Sequence, residues 1–147
     1  MSSDSSGIFS LHRYFIWADR MRVHFEASLA SVKTRGVSPQ EIFMEPYMSY
    51  YYAALQAVVE GWRELGLSDP AIDALLESPH IDLLRRYRNG AFHYQRTYFD
   101  DRFMDFMGAE DSAAWIRTLR DAFSRWFLEF FKRLEAEKGR VADGGTQ

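Results

Sequence analysis

Three residues in the second half of the chain have side chains that together can process a phosphodiester: Arg88, Asn89 and His93. Arginine donates two parallel hydrogen bonds to a phosphate and never loses its charge. Histidine exchanges protons near neutral pH, and an asparagine amide can orient either an imidazole or a phosphate. The three residue types therefore point to proton transfer at a phosphate ester, and we predict that these residues are catalytic.

Their spacing limits how they can meet. On one continuous helix, Asn89 and His93 lie about 40° apart around the axis, whereas Arg88 and His93 lie about 140° apart. The arginine and the histidine converge only if the long arginine side chain bends round or if two copies of the helix meet across a two-fold axis. Both arrangements remain open from the sequence.

The order of arginine, polar residue, three further residues and histidine, on a late helix of a small helical bundle, resembles the motif of the HEPN superfamily. The resemblance implies a homodimer in which the two motif helices face each other. It also implies RNA as the substrate and cleavage without a metal or cofactor. In that chemistry a ribose 2′-hydroxyl attacks the adjacent phosphate, with His93 as general acid or base and Arg88 stabilising the phosphorane. Asn89 would position one of them.

Residues around the motif are candidates for RNA contacts. Arg85, Arg86 and Arg96 can bind the phosphate backbone, although an arginine of this kind is more often a solvated surface charge. Tyr94 can stack on a base. The same role is open to Phe92, for which core packing is the stronger expectation.

One position departs from the pattern of the HEPN toxins that pair with a nucleotidyltransferase antitoxin. Their modified tyrosine lies two residues after the motif histidine, where this chain has Gln95. The departure argues against that type of regulation and leaves any partner protein unknown.

The first hypothesis for the function is an endoribonuclease, as a toxin or defence effector. The alternatives are a non-catalytic HEPN-like module for nucleotide or RNA binding or for protein assembly, and a helical interaction protein in which Arg88 and His93 satisfy buried hydrogen bonds.

The composition limits the kind of protein to which these hypotheses can apply. The 147 residues are 47% hydrophobic, which suits one packed domain. Cysteine is absent, and the four histidines lack the paired spacing of a zinc site, so we expect no metal. A net charge of −3 restricts any RNA contact to a local patch. With no secretory signal or membrane-span pattern, we expect a cytoplasmic protein that does not enter a membrane.

Hydrophobic periodicity predicts an all-α fold, an up-and-down bundle of four main helices plus a short connecting helix. We expect helices over residues 8–32, over 70–77, from residue 79 through the motif, and over 115–134. A further helix should begin at Ser38 and either kink or restart at Pro46, before Tyr47. Residues 99–108 should be irregular or form one short helical turn. Residues 8–137 form the predicted HEPN-like domain, between disordered segments at 1–7 and 138–147.

Gly90 lies inside the motif, and a glycine inside a helix costs about 1 kcal/mol relative to alanine. The close approach of another backbone or of a ligand would account for it, and so would a simple bend of the helix.

Overall fold

A computed structural model describes residues 3–36, 38, 41 and 46–144 of the chain. Every regular element in this part of the chain is an α-helix, which confirms the predicted all-α class. Four helices are long and two are short. In chain order they are α1 (Ser3–Arg35), α2 (Pro46–Glu64), α3 (Pro70–Leu76), α4 (His80–Phe92), α5 (Asp101–Met107) and α6 (Ser112–Asp143).

Helices α1 and α2 form an antiparallel pair on one side of the bundle. Small residues let the two backbones approach, since a Cβ atom added to Gly61 would lie 2.6 Å from the side chain of Leu11. At the other end of the pair, the ring of Phe25 packs against Tyr51. The centre of α2 is buried on nearly every side, so this helix is the axis around which the others are arranged.

Helix α6 packs against this pair through aromatic side chains. Trp62 of α2 meets Phe123 and Trp126 edge to face, with ring centroids 5.6 and 5.0 Å apart. At the start of α6, the indole N–H of Trp115 donates to the carbonyl oxygen of Leu75, at 3.2 Å. This hydrogen bond joins α6 to α3, so the short connector is fixed to the same core.

Two short helices flank α4, where a single one was predicted. The expected helix at 70–77 is present as α3, and Asp69 caps it by accepting from two backbone N–H groups. The second is α5, which lies in the segment that we expected to be irregular or a short helical turn. Asp100 caps α5, and Phe106 anchors it in the core. Helix α5 packs against α4 and so forms one wall of the region around the motif.

Several predicted boundaries need correction. Helix α1 begins at Ser3 and α6 ends at Asp143, so both helices extend into the segments that we expected to be disordered. No proline interrupts either end, and Gly139 meets no side chain that would oppose the helix. A helix begins at Pro46, the residue at which a kink or restart was predicted, while the helix predicted from Ser38 lies largely outside the described residues. Among the described residues, no helix is both long enough and apolar enough to cross a membrane.

Candidate functional site

Helix α4 is held in place by its apolar side. Ile81, Leu84 and Tyr87 are buried, and the Tyr87 hydroxyl forms a hydrogen bond of 3.0 Å with the Ser49 side chain on α2. Burial raises the pKa of Tyr87 to about 12, so the phenol stays neutral at physiological pH. These contacts direct the opposite side of α4, which carries the motif, towards the surface.

The helix ends within the motif, which corrects the expectation that α4 continues through it. His93 has extended backbone angles, φ −116° and ψ 125°, and its N–H makes the last helical bond, to the carbonyl oxygen of Asn89 at 3.0 Å. The Gln95 amide donates to the carbonyl oxygen of His93 at 2.6 Å and thereby satisfies a backbone acceptor beyond the helix. His93 is therefore placed by a helix terminus and not by a helical face.

Asn89 and His93 nevertheless line the same pocket, an open depression of about 420 Å³ at the end of α4. Tyr94, Gln95 and Arg102 complete it. The Gln95 carbonyl oxygen accepts a hydrogen bond from the Arg102 guanidinium, which fixes both side chains at the edge of the pocket. The His93 side chain is exposed, and its ring has no hydrogen-bond partner among the described residues. The pocket thus combines an accessible imidazole, a carboxamide and a guanidinium.

Arg88 lies on the other side of Asn89 and does not line this pocket. Its Nη1 and Nη2 groups bind both oxygens of Glu60 on α2, at 3.2 and 2.7 Å. Its Nε–H donates to the Asn89 side-chain oxygen at 3.0 Å. Because Asn89 contacts Arg88 and also lines the pocket of His93, it connects the two predicted catalytic side chains. The Gln56 amide also donates to Glu60, at 3.3 Å.

The three flanking arginines differ in their surroundings. Arg85 pairs with Asp82 at 3.2 Å, and Arg86 pairs with Asp105 at 2.5 Å. Arg96 is exposed and forms no ion pair within the described part of the chain. Of these candidates for phosphate contacts, Arg96 is the one that needs no existing pair to be broken.

The two aromatic candidates are both exposed. Tyr94 is 92% exposed and lies at the pocket of His93. Phe92 is 59% exposed, so the expectation that it packs in the core is wrong. It is the last residue of α4 and faces Tyr50 on the surface of α2, with ring centroids 6.1 Å apart. Its position past the buried stripe of α4 explains the exposure.

Gly90 is explained by close packing within the chain. A Cβ atom at this position would lie 3.1 Å from the Cβ of Arg102 and 3.1 Å from the ring of Phe103, both on α5. The neighbour that requires glycine is thus α5 of the same chain. The absent side chain lets α5 pack closely against α4 at this point.

Three site residues were not predicted from the sequence: Glu60, Gln95 as a pocket residue, and Arg102. Glu60 is 28 residues from Arg88, and no local pattern connects the two. Within the described residues, no group of three or more histidine, aspartate and glutamate side chains is arranged to hold a metal ion. Comparison of the chain with family models, curated protein sequences and solved structures gives no match.

Proposed function

We propose that this chain is a metal-independent endoribonuclease of the HEPN type. One observation carries the proposal: the exposed imidazole of His93 shares a pocket with Asn89, whose side chain also binds Arg88. A structural histidine would have its ring nitrogens satisfied, as the half-buried His80 does through Ser78 and the carbonyl oxygen of Glu110. The free ring of His93 favours a role in proton transfer.

The reaction follows from these groups. The ribose 2′-oxygen attacks phosphorus, the bond from phosphorus to the 5′-oxygen breaks, and the products are a 2′,3′-cyclic phosphate and a 5′-hydroxyl. His93 either accepts the proton of the 2′-hydroxyl or gives a proton to the departing 5′-oxygen, and solvent water takes or supplies the other proton. The extra negative charge on the phosphorane oxygens requires a fixed cation. Arg102 is the cation that shares the pocket of His93 within one chain.

A second copy of the chain would supply Arg88 to this pocket. Within one chain Arg88 lies on the Glu60 side of Asn89, outside the pocket. A two-fold arrangement with the ends of the α4 helices facing each other would bring Arg88 of one protomer to His93 of its partner. We therefore propose a homodimer with RNA as its substrate. A toxin or defence role would use the same activity.

The second candidate is a non-catalytic HEPN-like module that binds nucleotide or RNA. The observation in its favour is the pair between Arg88 and Glu60, because an arginine with both Nη groups on a carboxylate is not available for two-point contact with a phosphate. The two candidates differ in whether RNA is cut after it binds.

The test is incubation of the purified protein with structured and unstructured RNA in the presence of a chelator. The His93→Ala variant is the test protein, and His24→Ala is the matched control, since His24 is also an exposed histidine but stacks on Tyr47. Cleavage that resists the chelator, leaves a 2′,3′-cyclic phosphate and disappears only in His93→Ala is the expected result. RNA that binds and stays intact would instead support the binding module.

A further inference from the structure

A second surface feature lies beside the motif, between α1, α2 and the end of α4. It is a cleft of about 420 Å³ with four aromatic walls: Tyr14, Trp17, Tyr50 and Phe92. Alanine side chains of α2, including Ala54, form its floor. Trp17 and Tyr50 are 51% and 50% exposed, so the rings meet solvent with a large part of their surface. We call this feature the aromatic cleft.

The aromatic cleft is separate from the hydrophobic core. The core already buries Trp62, Tyr87, Phe106 and Phe123 almost completely, whereas the four cleft rings are between 38% and 59% exposed. Contiguous exposed apolar surface of this kind marks a binding site. Small floor residues between large rings leave a slot that suits a flat group able to stack on aromatic faces.

The charges at the cleft identify the kind of flat group. The guanidinium of Arg13 lies 5.7 Å from the ring centroid of Tyr14 and 5.4 Å from that of Trp17, and Arg20 lines the cleft with the apolar stem of its side chain. Neither arginine forms an ion pair with any described residue. By contrast Arg22, on the same helix, pairs with two carboxylates. Positive charge is therefore uncompensated where the aromatic rings are exposed.

Aromatic faces together with arginines that form no ion pair match a nucleic-acid strand, which offers a planar base and a phosphate at each nucleotide. An apolar peptide or a second copy of this surface would have to desolvate both arginines without giving them a partner. We propose that the aromatic cleft holds an unpaired nucleobase of single-stranded RNA, with Arg13 and Arg20 on the adjacent phosphates. The RNA identity rests on the proposed function, because Phe92 of the cleft directly precedes His93.

The fluorescence of Trp17 can report on ligand binding in the cleft. Trp17 is half exposed, while Trp62, Trp115 and Trp126 are buried, so a change in solvent-sensitive tryptophan emission reports on the cleft. The probes are short DNA single strands, which lack the 2′-hydroxyl and cannot be cut by the proposed chemistry. A strand with bases, an abasic strand of equal length and a duplex of the same sequence are compared. We expect the strand with bases to quench Trp17 and protect it from acrylamide, and the other two to do neither.

Variants separate stacking from charge. Trp17→Ala should weaken binding of the labelled strand by about 5- to 150-fold, which corresponds to the loss of one stacked base. Trp17→Phe should retain most of the affinity, and Val23→Ala, an exposed change on α1 outside the cleft, should retain all of it. Arg13→Gln should reduce the salt dependence of binding, because one phosphate contact is lost.

Distinct outcomes would overturn the inference and the proposed function. Equal binding of the abasic strand, unchanged affinity in Trp17→Ala, or no binding of any strand would refute the nucleobase site, whatever the cleavage result. A change from dimer to monomer in Trp17→Ala would instead assign the cleft to an interface between two copies. Strand binding that depends on Trp17, without cleavage of RNA, would leave the cleft in place and refute only the nuclease.

Discussion

The ion pair between Arg88 and Glu60 gives the most informative prediction, because it involves the motif arginine directly. The two side chains are 27% and 46% exposed. A pair with this much solvent contact contributes about 0.2–1 kcal/mol, and its two-point geometry places it near the upper end of that range. A double-mutant cycle with Glu60→Gln and Arg88→Gln should therefore give a coupling free energy of about 1 kcal/mol. The coupling should decrease as salt is added.

The same pair sets the cost of phosphate binding by Arg88. A phosphate that takes a two-point contact needs the Nη groups that Glu60 now occupies, so the pair must break first. Removal of the Glu60 charge eliminates that cost of about 1 kcal/mol, which corresponds to about fivefold tighter binding of RNA. Glu60→Gln should therefore increase RNA affinity.

The matched control is Glu64→Gln. Glu64 lies one turn further along α2, is exposed and forms no ion pair with the described residues, so both variants remove one negative charge from the same helix. Fluorescence anisotropy with labelled RNA in the His93→Ala background measures binding without cleavage. Equal affinities of the Glu60 and Glu64 variants, with zero coupling in the unfolding cycle, would refute the reasoning. Weaker binding in Glu60→Gln would mean that Glu60 holds Arg88 in its working position.

Three further predictions concern the framework around the site. Gly90→Leu should displace α5 and destabilise the fold by about 1–3 kcal/mol, since even a Cβ atom would lie 3.1 Å from the Phe103 ring; an unchanged urea midpoint would contradict this packing. Burial raises the pKa of Tyr87 in the folded state from 10.0 to about 12. Its contribution to the free energy of unfolding is therefore complete below pH 10 and is lost as the pH rises through 12. Tyr87→Phe should accordingly reduce the pH dependence of the unfolding free energy in that window by up to about 1.4 kcal/mol per pH unit, and an equal slope in both proteins would refute the assignment. Asp69→Ala should cost about 1 kcal/mol through loss of the α3 cap, whereas Asp69→Asn should keep most of the stability in thermal unfolding; similar losses in both would instead implicate its ion pair with Arg125.

The long helices were predictable because each one buries a stripe of apolar residues that repeats every three to four positions. Proline and aspartate marked two of the starts, at Pro46 and at the Asp69 cap. Helix α5 was not predicted as a distinct element because it lacks such a repeating stripe. It has seven residues, of which Phe106 alone is buried, and one anchor cannot establish a period.

The candidate site was predictable in its residue types and only partly in its arrangement. Asn89 and His93 do share a pocket, as their spacing suggested, although the helix ends between them. The partner of Arg88 comes from α2, and the second guanidinium of the pocket, Arg102, comes from α5. Both follow from how separate helices pack, and that information is not contained in the local spacing of the motif.

The end of α4 at Phe92 accounts for the relation between the aromatic cleft and the pocket. Because the chain leaves the helix there, Phe92 still lies with Tyr50 over α2, while His93 turns into the pocket on the α5 side. One further turn of helix would have placed His93 directly below Asn89 and left less room for a substrate between them. Consecutive residues thus belong to two neighbouring depressions, one lined by aromatic rings and one by polar groups. A strand that stacked a base on Phe92, as we propose, would bring its own backbone towards His93, which is the arrangement that the proposed nuclease requires.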